Sequence, residues 1–432
     1  MKKLLLLTLF SMLTAMVSAQ KFVGGDISLL TKYETNGAKY YDLDGKRITD
    51  MLGFFKQQGL NSMRVRLFVD PTKSGDIAAC QDLDYVKALG KRIKDAGFSL
   101  ILDFHYSDTW ADPGKQWTPD AWMSLADAQL YEKVYDYTKD CLEQMVAAGA
   151  TPDFIQTGNE ISYGMLWGTE AAVGKNNTNR CYTNSSTANW TRFTNLLKKA
   201  GQACREVCPN AKIILHSERV AKPSVLTDFL DRMKTAAIDY DIIGLSYYPY
   251  HHGTLAKLET ALNTLESKNY GKDIMIVETG YYYAWQTTDF EDEGADLSKT
   301  YPISPAGQQA FAKALIEMLN KHEIVKGLYW WWMEACENGL DWNTKRVSEG
   351  WYNASLFNDS NTSDVGYPAG KAMPAIAELK NFLTGEAGIN AINRDPLTND
   401  QSWYTLDGRR LSGKPTAKGI YIHNARKVVN NQ

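Results

Sequence analysis

Eight times along this chain of 432 residues, a short apolar run gives way to a stretch with helical periodicity. The runs predict strands at Phe22–Ile27, Ser62–Phe68, Ser99–His105, Asp153–Thr157, Lys212–His216, Asp241–Ser246, Asp273–Val277 and Gly327–Trp330. They are short and largely apolar, as strands buried on both faces are. The helical stretches fall at about 50–58, 83–95, 128–148, 190–207, 224–234, 255–268, 305–321 and 369–383. Gly59, Gly97, Gly149 and Gly271 precede strands, where a helix must end and the chain reverse. Strict strand–helix alternation, repeated eight times, predicts an α/β chain folded as a closed (β/α)8 TIM barrel. The competing arrangement, an open doubly wound sheet, usually has fewer strands or a glycine-rich phosphate loop, and no such loop is present in the sequence.

The barrel is expected over residues 20–385. Ahead of it, Lys2 and Lys3, the apolar stretches Leu4–Phe10 and Met12–Val17, and the small residues Val17-Ser18-Ala19 read as a signal peptide over 1–19. The mature chain would start near Gln20 and work in the periplasm, at the cell surface or outside the cell. No Cys follows the cleavage site to carry a lipid, and no later run reads as a membrane span. Beyond 385 the pattern changes. Residues 402–406 and 409–411 flank Asp407-Gly408 as in a hairpin, and 418–422 and 426–429 continue in β character, so a short C-terminal β tail is expected over 386–432. The six cysteines are scattered and lack zinc spacing.

The segments 106–127, 161–189, 279–304 and 331–368 are long and rich in Tyr, Trp, Asn, Asp and Gly. All follow strands, and in a parallel barrel the strand C-termini share one face, so these loops should build a cleft there. Two carboxylates stand at that face, Glu160 after the fourth strand and Glu278 after the seventh. A retaining glycosidase needs such a pair: one group protonates the leaving oxygen and the other attacks the anomeric carbon. One glutamate after a strand reads equally well as a cap or loop residue. Two on one face, one of them beside the amide of Asn159, favour catalysis, with Asn159 placed to hold a sugar hydroxyl. The formal charge of −3 argues against nucleic acid or an anionic membrane as partner. Twelve Trp and twenty-four Tyr suit a sugar site, because sugar C–H faces pack on flat rings, although most of these rings will fill the layers of the barrel.

Other strand-end residues extend the candidate site. Arg66 is placed to donate to Glu278 and hold it ionised, with a structural ion pair as the alternative. Tyr247 or Tyr248 can offer a phenol to Glu278 or to the sugar. His105 and His216 can bond hydroxyls or orient a carboxylate, against the commoner role of a satisfied core histidine. Trp110 and Trp330 are candidate sugar platforms; strand alternation is read as turning Trp330 toward the site and Trp331 outward. Asp112 and Gln116 contact ring hydroxyls or steady their loop, and Tyr281 follows the seventh strand. Glu160 must rest protonated and Glu278 ionised, so burial and the charge of Glu278 should raise the Glu160 pKa.

Gly25-Asp26-Ile27-Ser28, Met63–Leu67, the long run Asp103–Gln116, Thr157–Ile161, Ser246–Pro249 and Val277–Tyr281 carry a family likeness. From about 22 to 384 the chain resembles the arabinogalactan endo-β-1,4-galactanases of glycoside hydrolase family 53. The resemblance implies that Glu160 is the acid/base and Glu278 the nucleophile. It further implies a secreted enzyme needing no cofactor, acting inside β-1,4-galactan, a side chain of pectin. Galactan and galacto-oligosaccharides are thus the expected partners, and a monomer is expected. The chain departs from the family at Tyr329-Trp330-Trp331-Trp332, where Tyr-Trp-Glu-Pro is usual. Some bacterial members bind calcium between the seventh and eighth loops; Asp289, Glu291 and Asp292 are candidate ligands here, without the family's spacing or histidine. A solvated acidic loop is the plainer reading of that run. The competing functions are another β-glycanase of the same barrel clan, of mannanase or xylanase type, and a non-catalytic glycan-binding protein. The 103–116 run argues against the first, and the retention of both glutamates against the second.

Overall fold

The computed structural model describes residues 20–168, 183, 187–284, 293–336, 352–358 and 370–384, with parts of 403–430. The signal peptide expected over 1–19 lies outside the described residues. The chain divides into two units, Met1–Gly385 and Glu386–Gln432.

The first unit contains eight parallel strands: β1 (Phe22–Asp26), β2 (Ser62–Leu67), β3 (Ser99–Phe104), β4 (Phe154–Thr157), β5 (Lys212–Ser217), β6 (Ile242–Tyr247), β7 (Asp273–Thr279) and β8 (Val325–Trp330). They close in sequence order, with β1 pairing both β2 and β8, which makes the sheet the (β/α)8 barrel expected. Helices Met51–Gln57, Leu83–Asp95, Asp127–Ala147, Thr187–Val207, Pro223–Thr235, Leu255–Lys268 and Pro305–Leu319 separate the strands. Asp50, Asp82 and Ser304 cap three of them through the N–H groups of Gly53, Tyr85 and Gly307. The helix expected over 369–383 is replaced by two short turns, Pro374–Ala377 and Asn381–Thr384. Pro374 has no N–H to give and begins a turn instead of continuing one.

Side-chain alternation builds the barrel interior in two layers. Ile101, Phe154, Ile214, Ile242, Met275, Val277 and Tyr329 form an apolar cluster, with Phe22 packed against it. Two residues on along the same strands, and therefore on the same face, stand Asp103, Gln156 and His216, all fully buried. One end of the barrel is thus an apolar plug and the other a buried polar layer. Outside the sheet, Leu100, Leu102, Ile155, Leu215 and Ile243 pack with helix residues such as Val86, Leu142 and Leu196.

The pairing of β7 is irregular at one place. Leu245 lies opposite Ile276 but Ser246 opposite Glu278, and on the other side Leu328 lies opposite Ile276 but Trp330 opposite Thr279. Val277 is therefore a bulge residue. Because Val277 already faces the interior, regular alternation would turn Glu278 outward. The bulge sets Glu278 opposite Ser246 instead, on the side of the polar layer.

The second unit, taken by itself, is an antiparallel sheet of Trp403–Thr405, Arg410–Leu411, Gly419–His423 and Arg426–Asn430. Among the described residues, no helix is long and apolar enough to cross a membrane.

Candidate active site

Past the end of β4 the chain turns sharply, with Gly158 at φ 107° and Glu160 at φ 48°. A Cβ on Gly158 would meet Ile161 Cγ2 at 2.7 Å, so the turn needs glycine there. Glu160 has no such exemption, and its left-handed backbone is a strained one. The Glu160 N–H donates to His216 Nδ1 at 3.2 Å, leaving the imidazole proton on Nε2, 2.8 Å from Ser246 Oγ. Ser246 in turn bonds the Glu160 carboxyl. Burial, reinforced by the charge of Arg64, keeps His216 neutral by pushing its pKa well down.

Glu278 is held from two sides. Its Oε1 lies 2.9 Å from Arg64 Nη2, and its Oε2 accepts the Tyr248 hydroxyl at 2.9 Å. Arg64 Nη2 also reaches Asp103 Oδ2 and Asn159 Oδ1, each at 2.8 Å, and its Nη1 lies 3.2 Å from Asp26 Oδ2. Burial works against the Arg64 charge, but Asp103, Glu278 and Asp26 hold it protonated. Desolvation raises both site carboxyls. Glu160 is pushed well above the usual range, with Glu278 and then Glu218 as further causes. Glu278 is pushed up to about 7, with Arg64 and Tyr248 opposing the rise. The two groups sit unequally: Glu278 has a cation beside it, and among the described residues Glu160 has none.

Both glutamates line one cleft of about 840 Å³. Trp110, Trp331, Trp332, His105 and Asp76 form one part of its wall; Glu218, Arg219, Lys222, His251 and Glu293 form another. Of the residues selected from sequence, His105, Trp110, Asp112, Asn159 and Tyr248 also line it. His105 accepts the Ala111 N–H on Nδ1 and sets Nε2 3.1 Å from Asp103. Asp112 caps its own loop at Gly114 and lies 3.4 Å from Lys115. His216 lies behind the wall, orienting Ser246 and the Glu160 backbone.

Four readings are corrected. Arg66 does not reach Glu278; Arg64, one pleat deeper in the barrel, does so, and Arg66 pairs with Asp26 at 2.9 Å. Trp330 faces away from the cleft, fully buried, its Nε1 donating to the Ala354 carbonyl at 2.7 Å. Tyr329 is the inward residue of β8, so alternation presents Trp331 to the cleft, and the left-handed turn at Trp332 (φ 47°) adds Trp332 beside it. Tyr247 points outward and bonds the Gly253 carbonyl at 2.9 Å. Tyr281 is stacked on Phe311 and donates to the Tyr301 carbonyl at 2.7 Å, outside the cleft lining. Gln116 is tied to the Asn159 carbonyl at 2.7 Å and serves its loop. Asp289, Glu291 and Asp292 lie outside the described residues. Among the described residues, no group of three or more His, Cys, Asp or Glu is placed to hold a metal ion.

Sequence reasoning passed over Asp26, Arg64, Asp103, Ser246, Glu218, Trp331 and Trp332 as site residues. Asp26, Arg64, Asp103 and Ser246 share one signal: a polar residue inside an otherwise apolar strand, where a buried polar group needs partners.

A closed (β/α)8 barrel with two desolvated carboxyls in one cleft at its strand C-termini has the architecture of a barrel glycoside hydrolase. The model of the family described as glycosyl hydrolase family 53 matches residues 22–366, and the chain belongs to that family. It is a glycoside hydrolase. It is 32% identical over 363 residues to the arabinogalactan endo-beta-1,4-galactanase of Cellvibrio japonicus, covering 81% of this chain and 89% of that protein. To the endo-beta-1,4-galactanase of Bacillus subtilis it is 32% identical over 318 residues, 71% of this chain and 68% of that one. The solved family 53 catalytic domain of Ignisphaera aggregans superposes with a TM-score of 0.69 at 34% identity, covering 83% of this chain and 95% of that one.

Proposed function

We propose that the protein is an endo-β-1,4-galactanase that cleaves internal bonds of galactan with retention of configuration. Glu160 is the acid/base and Glu278 the nucleophile. The observation that carries this reading is the unequal environment of the two carboxyls. Glu278, beside Arg64 and Tyr248, gives up its proton first, and Glu160, desolvated and with no cation beside it among the described residues, keeps its own. Glu278 then attacks the anomeric carbon while Glu160 gives its proton to the departing oxygen. Water, deprotonated by Glu160, next cleaves the ester between the sugar and Glu278, and both carboxyls return to their starting states. The retaining route asks for a carboxyl separation of about 5–5.5 Å. Galactan as substrate is supported by the names of the relatives from Cellvibrio japonicus and Bacillus subtilis. We place the reaction outside the cytoplasm, on the (arabino)galactan side chains of pectin, on the strength of the signal peptide read over 1–19.

The test is to incubate the purified protein with linear β-1,4-galactan, mannan and xylan, sizing the products and following the first anomer released by proton NMR. A ladder of galacto-oligosaccharides, appearing first as the β-anomer, is expected. Preference for mannan or xylan would overturn the substrate, and an initial α-anomer would overturn retention.

A further inference from the structure

Arg66 is fully buried, yet only its Nη1 meets a carboxylate, Asp26 Oδ1 at 2.9 Å. Its Nε and Nη2 have no hydrogen-bond partner among the described residues. A guanidinium stripped of water is costly unless something else takes its charge. Aromatic faces do so here. The guanidinium carbon lies 4.6 Å from the ring centre of Trp110, 4.7 Å from that of Trp331 and 5.9 Å from that of Trp332, all within cation–π range.

The same three rings line the cleft. They meet one another at angles: Trp110 and Trp331 at 63°, Trp110 and Trp332 at 43°, Trp331 and Trp332 at 74°, with centres 6.2–6.4 Å apart. Rings touching edge to face share little area, so their mutual contact alone fixes their planes weakly. Trp110 is further held by its Nε1, which donates to Asp76 Oδ2 at 2.9 Å, and by edge-on contact with the rings of Phe68 and His105. Arg66 touches all three. The Trp331 ring is also 5.6 Å from the guanidinium of Arg64, which holds Glu278. Trp331 therefore stands on the Glu278 side of the cleft. Asp26 joins the two arginines, with Oδ1 on Arg66 and Oδ2 on Arg64.

We propose that Arg66 is a positioning residue: its guanidinium locks Trp110, Trp331 and Trp332 into one platform that receives the galactose units on the nucleophile's side of the scissile bond. The inference rests on the galactanase reading above. Activity of the wild type on linear β-1,4-galactan tests that reading first. The inference is then tested with aryl β-glycosides carrying one to four β-1,4-linked galactose residues. In the wild type, kcat/KM should climb with length as sugars fill the platform. Arg66→Met keeps the stem but loses the charged plane, and should flatten that climb by about tenfold, mostly through KM. Arg66→Lys keeps a charge beside Asp26 without the plane, and should fall between the two. A purely structural arginine would lower the melting temperature and slow all four substrates alike, leaving the length dependence intact, and that result overturns the proposal. If Arg66→Met does not fold, Arg66→Lys decides: an unchanged length dependence overturns the proposal equally. If the wild type instead prefers another β-glycan, the functional reading fails by itself, and the same series built from that glycan still tests the platform.

Discussion

Which tryptophan of Tyr329–Trp332 meets the sugar depends on a single step of register, and β8 sets it through Tyr329. With Tyr329 in the interior cluster, Trp330 packs outward and Trp331 enters the cleft. Trp331→Ala should therefore cut turnover on galactan by one or more orders of magnitude with a modest change in melting temperature. Trp330→Ala should cost about 3–5 kcal/mol of stability, the usual loss for a large buried ring. Thermal melts beside rates on the two variants check this, and the reverse pattern would return Trp330 to the cleft. Tyr248 offers a second test. Its hydroxyl donates to Glu278 and, with Arg64, opposes the burial that leaves that pKa raised to about 7. Tyr248→Phe removes that donor, so the Glu278 pKa should rise. In the mechanism we propose, Glu278 must be ionised to attack, so the acidic limb of kcat/KM should move to higher pH, with the alkaline limb, which that mechanism assigns to Glu160, moving less. A profile that stays put or moves to lower pH would show that Tyr248 does not hold the ionised form. At this scale the sequence was informative about residue type and poor about direction. Both glutamates and Tyr248 stood out after apolar runs. Arg64 and Arg66 share one face of β2 and differ in depth by one pleat, a distance that no one-dimensional pattern encodes.

Among the elements, the bulge in β7 contributes most to the site, and it left no mark in the sequence. Ile274-Met275-Ile276-Val277 reads as a uniform buried strand, and nothing in it distinguishes Val277 as the extra residue. The strands themselves were legible to within two residues at their ends, since eight apolar runs leave few alternatives. The eighth helix was misread because an amphipathic pattern continued across Pro374. Gly244 on β6 faces the bulge: a Cβ there would sit 2.7 Å from Ile214 Cγ2 and 3.3 Å from Val277 Cγ2. Gly244→Ala should therefore cost about 1–3 kcal/mol through overpacking. It should also lower kcat, because displacing Val277 displaces Glu278. A variant that loses stability but keeps wild-type kcat would mean that the bulge tolerates more movement than this packing allows.

For the molecule as a whole, chemistry and stability occupy opposite ends of the barrel. Phe22 and Phe154 meet edge to face at the plugged end, their ring centres 4.8 Å apart, beneath the polar layer. Phe154→Ala should remove about 3–5 kcal/mol, read by denaturant melts, and leave KM for galactan within about twofold of the wild type. A large rise in KM would show that strain passes through Gln156 to the cleft. The division is not complete, and Glu160 is where it fails. Its backbone sits at φ 48°, in a region where glycine is at ease and other residues are not. Turnover and thermal endurance therefore pull this position in opposite directions. Glu160→Gly should be inactive on galactan, yet outlast Glu160→Ala on heating by about 1 kcal/mol. Equal melting temperatures would show that the turn carries no strain. The change most damaging to function would then be among the most comfortable for the fold, and a dead copy would persist intact and still occupy galactan without cutting it.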